Sequence, residues 1–348
     1  MTRRSGRALL LVSLGISACG GGASSPSPAA NEPTCPAPTA TAPDDVYCIG
    51  LYAARGGTDP SADVLPYKPG VLLWSDGAEK QRYLSLPPGT TIDTSRFDAW
   101  QFPIGTKVFK EFRLSGTLVE TRMLWKQAEK NWVMATYVWD DTGHATLNTS
   151  MQPVLLASGY EIPTVKDCDK CHHGGSDKVL GIEAVALALP TAEGATLDEL
   201  VKRGLLSDPP ASTSITLPDD GSGNAAAAIG FLHSNCGMPC HSARGLGEET
   251  KLVLRLRADE FWDATGQALA ETVDATDAYT ASVNVDPTTA AVAQAFPGAK
   301  RITPGAHDES LLYLLSHRRD KYQMPPLVSH QIDETDNAAL AAWIDALN

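Results

Sequence analysis

The chain has 348 residues, 43% of them hydrophobic, and a formal net charge of −13 at pH 7. This length allows two domains of ordinary size. So acidic a composition argues against nucleic acid as a partner and favours cationic partners. The seven cysteines stand at positions 19, 35, 48, 168, 171, 236 and 240.

Residues 1–19 have the features of an export signal. Arg3, Arg4 and Arg7 precede the apolar run "ALLLVSLGIS", which is too short to span a bilayer as a mature helix. The run ends in "ISAC", which resembles a bacterial lipobox, so we predict a lipoprotein signal peptide with Cys19 as the lipidated N-terminus. An ordinary signal peptide cut nearby is the alternative, and with either signal the chain is exported.

Residues 20–49 are predicted to be a flexible tether. They begin with "GGGASSPSPAANEPT", which lacks the apolar side chains needed for a core. A lipid followed by a tether places a soluble domain at a membrane surface. Because Gly20 stands where an aspartate commonly retains lipoproteins at the inner membrane, the outer membrane is favoured over the inner one. In an exported protein, Cys35 and Cys48 are candidates for a disulfide.

Residues 50–164 are predicted to form a β-rich domain. Short segments rich in β-branched and aromatic residues are separated by turn signals such as "SDGAEK", "PPGTT" and "DDTG". No strong helix pattern interrupts them, which favours an antiparallel, sandwich-like domain. The predicted strands are "GVLLW", "QRYLSL", "TKVFKEFRL", "TLVETRMLW" and "NWVMATYVW".

Helical patterns dominate after residue 165. Short helices are predicted over 196–206, over 223–237 and in "HDESLLYLLSHRR", with a brief strand in "KLVLRLRA" between them. The last helix, "DETDNAALAAWIDAL", carries an apolar stripe at helical spacing and can be capped by Asp333 or Thr335. The expected fold class is therefore a two-part α+β protein, with the β-rich domain first and a mainly α domain second.

The segment "CDKCHHGG" contains the C-x-x-C-H pattern of covalent c-type haem attachment. Haem c needs two thiols for thioether bonds and an adjacent histidine that reaches the iron. Cys168, Cys171 and His172 are therefore predicted to hold a haem, entered through the extended stretch "GYEIPTVKDC". A disulfide is one alternative, and a zinc site that also uses His173 and the second cysteine pair is another.

The segment "CGMPCH", residues 236–241, is a second, irregular version of this pattern. Three residues rather than two separate its cysteines, so the extra residue has to bulge. Cys236, Cys240 and His241 are predicted to hold a second haem c, with His241 as the proximal ligand. A disulfide or an empty site is the alternative.

The surroundings of the second motif resemble class I cytochromes c. Ala228, Leu232 and Cys236 follow one another at the i, i+4, i+8 spacing of a helix face, as in the N-terminal helix of those proteins. The small Ala228 would let the C-terminal helix cross closely, with Trp343 as its partner. Met324 in "QMPPL" resembles the distal ligand, a thioether that raises the redox potential, although a core filler is the alternative.

The sixth ligand of the first haem stays open in the sequence. No candidate is marked by its context, and an unfilled position would permit small-ligand or peroxide chemistry. The candidates are Met123, Met134, His144, Met151 and His233.

Residues 50–348 resemble the SO2930-type family of exported bacterial di-haem c-type cytochromes. The resemblance rests on "LLWSDGAEKQRYLSLPPGT", "FPIGTKVFKEF" and "YEIPT" before the first motif. It continues with "FLHSNC", "MPPL" and "AAWI" around and after the second. It implies haem at both motifs, with His172 and His241 proximal. The chain would then have a first haem segment at 165–222 and a cytochrome c-like second haem domain at 223–348.

The leading functional hypothesis is an electron-transfer lipoprotein with two haems and a basic redox partner. A second hypothesis is a haem enzyme, peroxidase-like or the haem subunit of a dehydrogenase. A third is a haem sensor or binding module that uses the β-domain. No catalytic residue is predicted outside the haem motifs, so a non-catalytic electron carrier is favoured.

Overall fold

The computed structural model describes residues 34–37, 39–173, 175 and 177–348. The predicted signal peptide with Cys19, and residues 20–33 of the predicted tether, lie outside these ranges. Cys35 and Cys48 are both disulfide-bonded. None of the helices within the described ranges is long and apolar enough to cross a membrane.

Antiparallel strands form the centre of the described structure. Seven of them make one sheet with the order β6-β5-β4-β3-β2-β1-β9, and β7 pairs with β8 in a separate ribbon. The successive strands β3 to β6 are hairpin neighbours joined by short polar turns, whereas the longer segment 86–106 connects β2 to β3. Their bounds are β1 Leu65–Lys68, β2 Glu79–Ser85, β3 Lys107–Leu114, β4 Thr117–Ala128, β5 Asn131–Trp139, β6 Ala145–Leu147, β7 Val154–Leu155, β8 Glu161–Ile162 and β9 Glu193–Gly194.

Both faces of the sheet are covered. Leu84, Val108 and Leu124 are directly opposite one another on neighbouring strands and pack with the later helices. Phe109 and Met123 face the other side, where the segment before β1 covers them. Side chains alternate between the two faces along each strand. Because both faces are covered, some of the polar side chains of β2, β3 and β4 are buried.

The packed part of the chain begins before residue 50, the predicted end of the tether. A 3-10 helix, Val46–Cys48, is capped by Asp45, whose carboxylate accepts a hydrogen bond from Tyr47 N–H. Val46 and Ile49 are 2% and 0% exposed and belong to the core under the sheet. The end of the predicted tether is therefore part of the folded core.

The helices are short except for the last. Asp333 caps that helix as expected, accepting a hydrogen bond from Asp336 N–H, and α4 packs against α8. The bounds are α1 Val165–Cys171, α2 Ala184–Ala188, α3 Leu197–Lys202, α4 Ala225–Phe231, α5 Asp277–Thr280, α6 Ala290–Ala295, α7 Leu311–Ser316 and α8 Glu334–Ala346. A π-helix, Leu232–Gly237, continues α4.

Two predicted strands are wrong, because side chains near the second motif satisfy their backbone groups. In "GVLLW" (70–74), Trp74 N–H donates to Asn235 Oδ1 at 2.6 Å, and Asn235 Nδ2 donates to the carbonyl of Leu72. In "KLVLRLRA" (251–258), Leu256 N–H donates to His233 Nδ1 at 3.0 Å. Neither segment joins the sheet, and both are held against the π-helix instead.

The mixed α+β class is confirmed by the sheet and the helices. Leu124 of the sheet shares one hydrophobic cluster with Leu187, Ala228 and Trp343 of the later segments. Pro36–Asn348 form one compact unit. The predicted boundary between 164 and 165 therefore does not coincide with a break in packing.

Candidate functional site

The two Cys–His motifs meet at one cavity of about 440 Å³, here called the motif cavity. This volume lies within the usual range of small-molecule sites, roughly 300–1,000 Å³. Burial, and to a smaller extent Cys171 of the first motif, raises the pKa of Cys240 to about 11, so Cys240 is a neutral thiol at neutral pH. The residues of the motifs that line the cavity are Cys168, Cys171, His172, Cys236, Cys240 and His241.

The first motif lies on the short helix α1, where an extended entry was expected. Thr164 and Asp167 form a reciprocal capping box that starts the helix directly after Pro163. Helical spacing places the two cysteines three residues apart on one face. At the end of the helix, His172 N–H donates to the carbonyl of Cys168 at 3.0 Å.

The imidazole of His172 is neutral and oriented. Burial, together with the nearby Lys110 cation, lowers the pKa of His172 to about 3. Its Nδ1 lies 2.5 Å from the carbonyl oxygen of Lys178, so Nδ1 carries the proton and donates it. The Nε2 lone pair is then free to act as a ligand.

The sheet fixes the carbonyl that orients His172. Asp177, next to Lys178, accepts hydrogen bonds from Lys126 Nζ and from Trp132 Nε1, both at 2.6 Å. Asp177 and Lys126 are 8% and 2% exposed. A buried ion pair on β4 therefore positions the loop that carries the His172 partner.

The second motif takes up its extra residue in a π-type turn. His241 N–H donates to the carbonyl of Cys236 at 2.8 Å, spanning five residues where the first motif spans four. The π-helix Leu232–Gly237 leads into this turn, and such turns are frequent at functional sites. In both motifs the histidine N–H thus binds the carbonyl of the first cysteine, despite the different spacing.

His241 lies against a glycine. A Cβ added to Gly247 would lie 2.6 Å from His241 Nδ1, so no side chain fits there. Thr250 Oγ1 is 3.3 Å from the same nitrogen. Burial, with a contribution from Arg301, lowers the pKa of His241 and favours the neutral ring.

The four cysteines of the motifs are free thiols. Burial raises the pKa of each, that of Cys236 to about 12. Among the residues that the structure describes, no group of three or more His, Cys, Asp or Glu side chains is arranged to hold a metal ion. His173, a ligand in the zinc alternative, is exposed.

Met324 lines the motif cavity, and its side chain is 37% exposed. Its backbone N–H donates to the carbonyl of Leu315 at 2.8 Å, which ties this loop to the end of α7. The structure therefore brings the sequence-predicted distal ligand to the same cavity as both motifs.

The candidate sixth ligands of the first motif differ in burial and in their position relative to the motif cavity. Met134 lines the motif cavity, Met123 is fully buried on the opposite face of the sheet, and His144 and Met151 are exposed. His233 is 1% exposed and both its ring nitrogens are engaged. Its Nδ1 accepts from Leu256 N–H, so Nε2 carries the proton directed at Glu183 Oε1, 3.4 Å away.

Sequence reasoning missed four cations of the sheet strands that line the motif cavity, here called the basic face: Lys80, Arg82, Lys110 and Arg122. They lie at positions of β2, β3 and β4 that share one face of the sheet, and an ordinary solvated face has the same spacing. Because later segments cover this side of the sheet, the cations are enclosed.

The charges of the basic face are only partly compensated. Arg122 pairs with the buried Glu120 at 2.5 Å. Lys80 Nζ donates to the carbonyl of Leu73. Within the described ranges, neither Arg82 nor Lys110 forms an ion pair with an acidic side chain. Burial and the neighbouring cations Arg82 and Arg122 lower the pKa of Lys110 to about 7.

Comparisons with models of protein families, with curated proteins and with solved structures found no match to this chain.

Proposed function

We propose that the protein is an exported di-haem c-type cytochrome that transfers electrons and is anchored in the cell envelope through a lipid on Cys19. One observation carries this proposal: both Cys–His motifs end in the same backbone bond and present thiols and an imidazole to one cavity. Haem groups attached to motifs that line the same cavity would be close enough for electrons to pass between them. The resemblance to exported di-haem cytochromes supports the same function.

The residues of the motif cavity fit haem c. The first group would be held by Cys168, Cys171 and His172, whose neutral ring has Nδ1 bound to a carbonyl and Nε2 free. A ligating histidine usually has this second interaction. When bound, haem iron supplies one-electron redox chemistry that side chains alone cannot provide.

The second group would be held by Cys236, Cys240 and His241, with Met324 as the sixth ligand. Gly247 leaves the space that the His241 ring fills. Since a thioether ligand raises the potential, Met324 would make this haem the stronger electron acceptor. The packing of α4 on α8, with Ala228 and Trp343 both fully buried, fits the class I cytochrome c arrangement that the sequence predicts.

A haem count on chain expressed with the c-type maturation system tests the proposal. We expect two covalently bound haems in the wild type. We expect one haem in Cys168→Ala/Cys171→Ala and one in Cys236→Ala/Cys240→Ala. A wild type without covalent haem would overturn the proposal, and one haem that survives only in the second variant would restrict it to the first motif.

The anchor is tested separately from the haems. Cys19→Ala is expected to abolish incorporation of labelled fatty acid while leaving the haem content of the exported chain unchanged. Labelling that persists in Cys19→Ala would contradict lipidation at this cysteine. Fractionation of the cell envelope then decides between the outer and the inner membrane.

A further inference from the structure

We infer that the basic face of the sheet binds the carboxylate groups of the haem held by Cys168, Cys171 and His172, with Arg82 and Lys110 as the main partners. This inference rests on the proposed function. It gives the β-rich part of the chain a role in cofactor binding.

The basic face is a continuous row across three strands. Arg82 on β2 is directly opposite Lys110 on β3, which is directly opposite Arg122 on β4. Like charges in such positions repel one another and destabilise a sheet unless anions compensate them. All three side chains line the motif cavity.

The compensation within the row is uneven. Glu120 makes two contacts with Arg122, at 2.5 and 3.0 Å, and also accepts a hydrogen bond from Tyr160. Arg82 is 6% exposed and donates to the carbonyl of Lys80 at 3.5 Å, and within the described part of the chain neither it nor Lys110 has an acidic partner. Burying a charge without a counter-ion costs free energy. A carboxylate in the cavity would remove that cost for both Arg82 and Lys110.

The direction of the row suits the shape of haem. The helix α1, which carries the thiols, lies against β5, and β2 is three strands away, roughly 14 Å at the usual strand spacing. Haem carries its two carboxylates on the side opposite the vinyl groups that bind cysteine. Arg82 therefore lies at the end of the row where the carboxylates would be, with Lys110 one strand nearer the thiols.

The test uses full-length chain in the Cys236→Ala/Cys240→Ala background, so that only the first haem is present. Arg82→Met and Lys110→Met are each compared with Lys107→Met. Lys107 lies on the opposite face of β3, where its Nζ donates to the carbonyl of Ile49. Arg82→Lys keeps the charge and is the rescue variant.

Three readouts are needed: the haem count, the midpoint potential as a function of pH, and the propionate bending bands in resonance Raman spectra. We expect one haem in every variant. Arg82→Met and Lys110→Met should lower the potential, since a cation near the haem favours the reduced state. They should also move its pH-dependent step to higher pH, because a carboxylate without its cation has a higher pKa. The Raman bands should shift in the same two variants.

Lys107→Met should leave all three readouts unchanged. Arg82→Lys keeps the charge, so its potential, its pH-dependent step and its Raman bands should be close to those of the parent chain. Unchanged potentials and Raman bands in Arg82→Met and Lys110→Met, with one haem still bound, would overturn the inference but not the proposed function. A saturable spectral change on adding phosphate, lost in Arg82→Met, would also overturn it, since the face would then hold a free anion. No haem in the parent background would instead contradict the proposed function at the first motif.

Discussion

At the scale of single residues, Gly247 is the clearest steric constraint at the second motif. Its missing side chain leaves the space occupied by the His241 ring, and an added Cβ would lie 2.6 Å from Nδ1. We predict that Gly247→Ala displaces the imidazole and lowers the fraction of six-coordinate, low-spin iron at this motif. Absorption spectra in the Cys168→Ala/Cys171→Ala background, where only the second haem is present, measure this fraction.

Gly57→Ala is the matched control, because the nearest atom to an added Cβ there is a backbone oxygen at 3.7 Å. It should leave the spectrum and the haem content unchanged. A Gly247→Ala chain with the same spectrum as the control would contradict a role for this glycine in placing His241.

The buried pair Lys126–Asp177 links the sheet to the first motif. Removing one partner of a buried ion pair costs about 3–5 kcal/mol, since the other charge is left unpaired. We predict a loss of this size in the free energy of unfolding for Asp177→Asn, measured by urea denaturation. Asp177→Asn/Lys126→Met should recover part of it, which a double-mutant cycle would show as coupling.

The exposed cross-strand pair Lys68–Glu193 is the control for this prediction. Its side chains are 47% and 67% exposed, and such pairs contribute less than about 1 kcal/mol. Glu193→Gln should therefore be nearly neutral. An equally small effect of Asp177→Asn would show that the pair does not stabilise the loop next to His172.

At the scale of elements, the start of helix α8 carries an unfavourable charge. Burial, together with the nearby Asp333, raises the pKa of Asp336 to about 6 from a usual value of 3.8. A raised carboxyl pKa means that the folded state binds the proton more tightly than the unfolded state. The stabilisation from this tighter proton binding is fully present below pH 3.8 and is lost as the pH rises to about 6.

We therefore predict that Asp336→Asn gains stability over the wild type as the pH rises from 4 to 6, with a constant difference above that window. Urea denaturation at pH 4, 5, 6 and 7 measures this difference. Glu129→Gln, in the exposed turn between β4 and β5, is the control. A difference between wild type and Asp336→Asn that is the same at pH 4 and pH 7 would contradict the assignment.

Elements whose stability is local were predictable from the sequence. Helix α8 has its own apolar stripe and its own cap at Asp333, and β3 to β5 have turn signals between them. The segments 70–74 and 251–258 have equally apolar patterns, but Asn235 and His233 bind their backbone groups. Such contacts join residues far apart in the chain, and no short-range pattern reports them.

The residues of the candidate site also fall into those that the sequence predicts and those that only the fold reveals. The thiols and histidines stand in contiguous motifs, so their spacing identified them. Asp177 and Arg82 act through the tertiary fold: one binds Lys126 on β4, and the other faces the motif cavity from β2. In the sequence, Arg82 is only a polar residue at an alternating strand position. A solvated face and a buried cofactor wall have that pattern in common.

At the scale of the whole molecule, the sheet and the later helices share one core. Residues of both therefore line the motif cavity. Leu124 of β4 packs in the same cluster as Leu232, which precedes the second motif. Damage to the sheet should therefore disturb the two Cys–His motifs, which would not follow if the β-rich part were an independent domain.

The last prediction follows from the net charge of −13 and concerns electron exchange with partners. A strongly acidic surface attracts cationic reagents and repels anionic ones, and salt screens both effects. In stopped-flow experiments, the second-order rate of electron exchange with a small cationic complex should fall as ionic strength rises. With an anionic complex of similar size and potential, the rate should increase. Because the same protein is used with both reagents, each serves as the control for the other. A rate that rises with salt for the cationic complex and falls for the anionic one would show that electrons leave through a locally basic surface, and an acidic redox partner would then be expected.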